Sequence, residues 1–585
     1  MDPLLSDINE SSEPHKYRRK GGLIRRKLAY YIPVMVATNL SLLLINTVDQ
    51  IVAGNYIGKQ AMSSISIFYP LSLVIAVFSG PVASGIATAI ANAQGKNDID
   101  GLRHVRNAGK YIMITVAAAI SVIQIPIVFF LISTFGLSPE VSQMAKEYSI
   151  GMMICTPFGI FSTVGTYVLQ TSGKMKTLMA LSITEGVSNV AFDLLFVAVM
   201  HMGVAGTGYG TACANFIRAT LTIICMVKTT DFFKSDGKPV TLKDYRNILS
   251  LGLPDAAFML MVAFQNYVTL RIVIHAFGDD GGVIFGLCSF CLSVVNVLLI
   301  SIQGSMRPLM GLYMGGGDLH AIRELMRNGA KNVLIGAGLF TFAVINFPTF
   351  FYHLHGIKEI PDGGLLSVQL YSLCFVLRGF NQILRLYFTN KQDIKFATTL
   401  TVLGNATLPL FAFIMYSVNT PDTYIFISYT ITELIILGPS ILRYKYLRKK
   451  DRQNSDEDIV LYMTVEKGEA VEASKYIRTF ADKHGIDGRV SYRVALCMEE
   501  MVAFIEESDF YARIPRKHLY VDVVIRFIDK NSAIFTTLDD GAFLDLDSNK
   551  EVYDLVTDNY ELIRTLTKKV QYQYVLNLNY TIITI

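Results

Sequence analysis

The chain has 585 residues, of which 52% are hydrophobic and only 17% charged, and its mean hydropathy is +0.40. A soluble chain of this length would carry about 25% charged residues, so the composition excludes an ordinary soluble protein. A net charge of +4 with no concentrated basic field excludes a nucleic-acid partner.

The charge deficit is local: residues 28–447 are a succession of long apolar blocks, whereas 1–27 and 448–585 read as polar protein. Residues 1–27 are basic, and the apolar stretch behind them is too long for the core of a cleavable signal. A membrane helix needs about 20 mostly apolar residues. Spans meeting that need fall at 28–53, 63–92, 110–134, 143–170, 178–200, 204–227, 247–277, 281–313, 330–353, 364–390, 396–418 and 422–447. Twelve spans are expected, several of them long enough to tilt or bend around a cavity. Lys and Arg concentrate in alternate loops, from Arg18, Arg19 and Lys20 in the N-terminal tail to Arg443–Arg452 after the last span. The positive-inside rule then places both termini in the cytoplasm. Six of the seven cysteines lie within apolar blocks, which argues against a disulfide framework; the Cys288-x-x-Cys291 pair reads as packing on a helix.

The loop after the second span, Gly95-Lys-Asn-Asp98 leading to Arg103, recurs after the eighth as Gly315-Gly-Gly-Asp318 leading to Arg323. A repeat at this spacing predicts two six-helix lobes, 28–227 and 247–447, joined by a basic linker at 228–246, with a cavity between them.

A charge at mid-bilayer costs roughly 2.5–3.5 kcal/mol on insertion scales, so each one calls for a task. In the N-terminal half these residues are Asp49, Glu185 and Asp193, with Asn189 and Thr211 nearby. Glu185, Asn189 and Asp193 recur every four residues and so share one helix face. Two carboxyls with an amide and a hydroxyl can share a proton or surround Na⁺ with hard oxygens. The C-terminal half is mainly basic: Arg271, Arg307, Arg378 and Arg385, with Gln265, Asn266 and Glu433. These arginines either pair with buried acids such as Glu433 and cap broken helices, which is the preferred reading, or meet an anionic group on a substrate. Candidate cavity residues are therefore Glu185, Gln265, Asn266, Arg271 and Arg378.

Specific motifs identify the apolar part. Val48-Asp49-Gln50 with Gly54, Gly58 and Ala61, then Gln170-Thr-Ser-Gly173-Lys174, Asn189-Val-Ala-Phe-Asp193, Gly203-Val-Ala-Gly206 and Leu251-Gly-Leu-Pro254 resemble the signatures of MATE (multidrug and toxic compound extrusion) transporters. The resemblance covers about 25–447 and implies an all-α membrane fold of two six-helix repeats. It further implies antiport of small organic molecules against H⁺ or Na⁺ in the plasma membrane, with Asp49, Asn189, Asp193 and Thr211 as the coupling site. It also implies that no cofactor is required. Gln170-Thr171 and the turn Thr389-Asn-Lys-Gln-Asp393 depart from the family pattern, which bears on subfamily and substrate.

After a charged linker at 448–457 the periodicity changes. Strands are expected from 459, at 519–528, 532–538, 570–577 and 579–585, and helices at 467–484, 488–507 and 558–568. This order, with Glu499-Glu500-Met-Val-Ala-Phe504 and Leu538-Asp539-Asp540-Gly541, resembles the anti-sigma-factor kinases of the GHKL ATPase superfamily. The resemblance implies an α/β sandwich over 458–585 with Glu500, Asp539 and Gly541 as remnants of a nucleotide site. Phe504 stands where the family has its Mg²⁺-binding asparagine, and no glycine-rich lid precedes the last helix. The expectation is a regulatory domain without phosphotransfer, holding adenine weakly or meeting a protein partner. The alternatives to transport are a membrane-anchored kinase that no longer transports and a flippase of lipid-linked sugars.

Overall fold

The computed structural model describes residues 21–96, 98–134, 139–354, 357, 359–418, 421–455, 459–511, 519–541 and 562–585. The chain divides into two compact units, one of Leu28–Gly317 with Leu325–Tyr446, the other of Met1–Lys27, Asp318–Glu324 and Leu447–Ile585.

The larger unit is helical. Its elements are α1 (Gly22–Tyr56), α2 (Lys59–Gly95), α3 (Ile99–Thr134), α4 (Pro139–Thr171), α5 (Met175–Asp193), α6 (Val204–Thr229), α7 (Leu242–Phe277) and α8 (Asp279–Gly315). They continue with α9 (Leu319–Asn346), α10 (Pro348–Leu354), α11 (Gly364–Ser372), α12 (Cys374–Asn390), α13 (Ile394–Ser417) and α14 (Ile427–Ser455). Among the described residues, nine helices are long and apolar enough to cross a membrane. Large apolar side chains such as Val122, Phe130, Val187, Leu339, Phe342 and Leu403 stand exposed on them. A soluble protein would not leave so many uncovered.

Two expected spans are broken. The stretch 330–353 divides at Phe347, where Pro348 starts α10, and 364–390 divides at Leu373 into α11 and α12. Proline cannot continue the hydrogen-bond ladder of the preceding helix, which explains the first break. The helix over 178–200 widens after Asp193 into a π-helical turn, Leu194–Val199.

Glycine sets the closest helix crossings. A Cβ on Gly151 of α4 would fall 2.7 Å from the Gly208 Cα of α6, and Gly252 of α7 packs directly on the Pro81 carbonyl of α2. Gly95 ends α2 and Gly315 ends α8, and a Cβ on Gly95 would lie 2.8 Å from the Gly315 Cα. The two repeated loops thus begin at a backbone-to-backbone contact that only glycine allows. The aspartates of the repeat also share a role. The Gly101 N–H donates to Asp98 Oδ1 at 2.8 Å, and the Ala321 N–H donates to Asp318 Oδ1 at 2.9 Å. Each satisfies a free N–H in the first turn of the helix that follows, α3 and α9 respectively.

In the smaller unit, β1 (Ile459–Glu466), α15 (Ala470–Lys483), α16 (Gly488–Tyr511), β2 (Tyr520–Asp529), β3 (Ser532–Asp539), β4 (Lys569–Val575) and β5 (Leu578–Thr584) form a five-stranded sheet with two long helices. Strand order is β1-β2-β3-β5-β4, antiparallel throughout. Met463, Val523 and Phe535 from the sheet share one core with Ile477, Met498, Met501 and Phe504 from the helices. The strand expected over 570–577 stops two residues early. Leu576 and Asn577 take left-handed φ values of 59° and 56°, forming the two-residue turn that suits the twist of a hairpin.

A buried carboxyl pair beside a polar cavity

In the larger unit α5 and α6 run side by side with polar groups facing in pairs. Asn189 donates from Nδ2 to Thr211 Oγ1 at 3.0 Å, and the Thr211 hydroxyl donates to Asp49 Oδ2 on α1 at 3.1 Å. Tyr148 of α4 donates to the same Asp49 oxygen at 3.3 Å. Asp193 lies against Asp49, one helical turn beyond Asn189. Among the described residues, neither Asp193 oxygen nor Asp49 Oδ1 has a donor, although Asp193 is fully buried. Two carboxylates facing each other away from water repel strongly, so the arrangement needs a proton or a cation between them. The four residues expected to act together, Asp49, Asn189, Asp193 and Thr211, are therefore brought together.

Two residues of this site were not foreseen. Tyr148 carries no charge and follows Lys146 and Glu147 near the start of its span, so nothing in the sequence singles it out. Gly210 packs on the Asp193 carboxylate; the only sign of it is that it immediately precedes Thr211.

Two turns before Asp193, Glu185 forms an ion pair with Arg218 of α6, whose Nη2 also donates to Thr166 at 3.0 Å. Arg218 was also missed, although it stands seven residues after Thr211 and hence near the same helix face. Glu185 and Arg218 line a cavity of about 300 Å³ together with side chains from α1, α4 and α8, among them Asn39, Ser162, Tyr167 and Arg307.

Three of the four arginines expected in the second half, Arg307, Arg378 and Arg385, meet acids. Asp255, just after Pro254 on α7, binds Arg307 of α8 at 3.0 Å and Arg385 of α12 at 3.4 Å. Arg378 reaches Glu433 of α14 at 3.7 Å and sits over the Phe258 ring at 5.2 Å. Of the five expected cavity residues, only Glu185 lines the larger cavity, and Arg378 lines a smaller one with Arg385 and Asn381. Gln265 is buried and donates its amide to the Asn405 carbonyl at 2.8 Å and side chain at 2.9 Å, so it ties α7 to α13. Arg271 is exposed, with its guanidinium 5.8 Å from the Tyr267 ring, and Asn266 is half-buried; neither lines these two cavities. Cys288 and Cys291 are buried free thiols.

In the smaller unit Asp539 is buried at the end of β3, and its Oδ1 accepts from the Gly541 N–H and from Asn579 Nδ2, both at 2.8 Å. Glu500 is half-buried on α16, and burial pushes its carboxyl up, with Glu499 and Glu507 adding to the effect. Phe504 is a core residue, 7% exposed. The expected lid region before the last helix and the stretch from Ala542 to Asp545 lie outside the described residues, as does the start of the helix expected at 558–568.

Long apolar helices, bent and carrying ion-pairing groups in their interior, match the build of an α-helical membrane protein. The MatE family model matches residues 33–195. The chain is 24% identical over 320 residues to a probable multidrug resistance protein NorM of Halalkalibacterium halodurans, covering 53% of this chain and 68% of that one. It is 20% identical over 448 residues to a probable multidrug resistance protein YoeA of Bacillus subtilis, covering 73% and 92%. A multidrug resistance MATE transporter of the MOP superfamily, solved in an outward-facing conformation, superposes with a TM-score of 0.68 at 16% identity, over 73% of this chain and 97% of that one. The helical unit thus has the MATE transporter fold.

Proposed function

We propose that the chain is a secondary active exporter of small organic molecules, driven by inward H⁺ or Na⁺ and built as twelve spans in two lobes, with both termini cytoplasmic. The observation that carries this reading is the buried Asp49–Asp193 pair, which has donors on one oxygen only and faces a neighbouring helix of hydroxyls and amides. One coupling ion balances the pair, and its arrival or departure changes the local charge by one unit, which is the coupling a carrier needs. The cavity beside it, lined by Glu185 and Arg218, is the place for the substrate. Residues 458–585 form a GHKL-like regulatory domain without phosphotransfer, because Phe504 offers no oxygen to Mg²⁺ and lies in the core. Asp539 and Gly541 leave room at most for weak adenine binding. No cofactor is needed, and the partners are the bilayer, the substrate and a regulatory protein at the tail.

The decisive experiment is gradient-driven transport in proteoliposomes. Asp193→Asn keeps size and hydrogen bonding but removes a titratable group, so transport should be abolished with the protein still folded. Full transport by Asp193→Asn at a saturating gradient overturns the assignment.

A further inference from the structure

Resting on that reading of the cavity, we propose that it receives a carboxylate or phosphate group on its substrate, so the substrates are anionic or zwitterionic.

The argument is a census of the wall. Among the described residues, three charged side chains line the 300 Å³ cavity: Glu185, Arg218 and Arg307. Glu185 is its one acid, and it is already engaged by Arg218, with both side chains 5% exposed. A substrate cation would have to compete with a guanidinium held at contact distance. Arg307 is differently placed. Its acid, Asp255, is shared with Arg385 at 3.4 Å, so one negative charge answers two guanidiniums. The remaining acid nearby, Glu433, belongs to Arg378. The wall at Arg307 is left with uncompensated positive charge in a setting where burial makes such charge costly.

Hydrogen bonding points the same way. Among the described residues, the fully buried polar atoms of the lining that have no partner are Arg218 Nε, Arg307 Nε and Ser162 Oγ. All three can donate; none is a carboxylate oxygen. These atoms are sealed from the cavity itself, but they show that the unspent hydrogen-bonding capacity of its wall is donor in character, which suits an oxyanion at the guanidiniums that line it. Other side chains of the wall spend their donors internally. Asn39 gives its amide to the Met35 carbonyl and to Ser301, both at 2.9 Å, and Asn215 gives its amide to the Thr211 carbonyl at 3.1 Å. The Tyr167 ring, 5.4 Å from the Arg307 guanidinium, supplies an apolar face beside it for the body of the molecule.

The test uses one fluorescent scaffold in three charge states: 7-diethylaminocoumarin-3-carboxylate, its neutral ethyl ester, and its choline ester, which carries a cation. Binding to the purified full chain is read by fluorescence polarisation. The carboxylate should bind at least about tenfold more tightly than the choline ester. Arg307→Gln should remove that preference, while Arg307→Lys should keep most of it. Thr163 of α4 also lines the cavity, so Thr163→Phe, which fills it, should weaken all probes that bind there. Wild-type selectivity needs no variant, so a misfolded Arg307→Gln leaves the proposal open to refutation. If the choline ester binds more tightly and Thr163→Phe abolishes its binding, the cavity reading stands and the anionic substrate is overturned. If no probe binds, or Thr163→Phe changes nothing, the cavity reading falls and takes this proposal with it.

Discussion

Gly210 shows how narrow the tolerances of the ion site are. Its missing Cβ is the space that the Asp193 carboxylate occupies, so Gly210→Ala must either push the carboxylate aside or part α5 from α6. Transport should fall at least about tenfold, equivalent to ~1.4 kcal/mol. Gly438→Ala on α14, where an added methyl meets nothing within 4 Å, should transport normally. Equal activity of the two variants in the proteoliposome assay would show that the close approach at Gly210 is unimportant. At this scale the sequence discloses charge better than partnership. Asp49, Asp193 and Glu185 stand out because an ionised group inside an apolar block is costly wherever it points. Which base answers which acid depends on helix rotation and neighbour choice. Arg218 and Asp255 also lie inside expected spans, 204–227 and 247–277, so their charge was legible there and only their partners were not; Gln265, equally polar, proved to be a tie between helices.

Elements were legible in proportion to the regularity of their pattern. In the smaller unit alternating apolar residues located five strands, because burying one sheet face leaves a period of two. What failed there was the end of β4, where Leu576, an ordinary strand residue, takes a left-handed turn conformation. In the larger unit continuous apolar blocks give extent but no periodicity, so the breaks at Phe347 and Leu373 were invisible apart from Pro348. Element α16 carries its own prediction. Phe504 lies in the core with Met498 and Met501, and there it offers no oxygen to a hard cation. Calorimetry on the full chain should therefore find Mg·ATP bound no more tightly than adenosine. A clear Mg²⁺-dependent gain in affinity would mean that another residue supplies the ligand.

For the whole molecule, orientation is the property that the distribution of Lys and Arg decides. In a cysteine-free background, Met202→Cys, at an exposed position just before α6, should react with an impermeant maleimide added outside cells. A reporter fused after Ile585 should be active only inside. The opposite pattern would mean that the chain is inserted the other way round, and a result in which only one of the two changes sides would mean a miscounted span. The repeated loops were readable in the sequence because their matching residues have one function: a glycine that ends one helix and an aspartate that caps the next.

The contact between Gly95 and Gly315 has a geometric consequence. The two glycines hold equivalent places in the repeated loops and meet backbone to backbone, so the ends of α2 and α8 touch with no side chain between them. A side chain on either glycine therefore acts as a wedge between both helices at once, whereas bulk added at an exposed position of α2 or α8 disturbs neither.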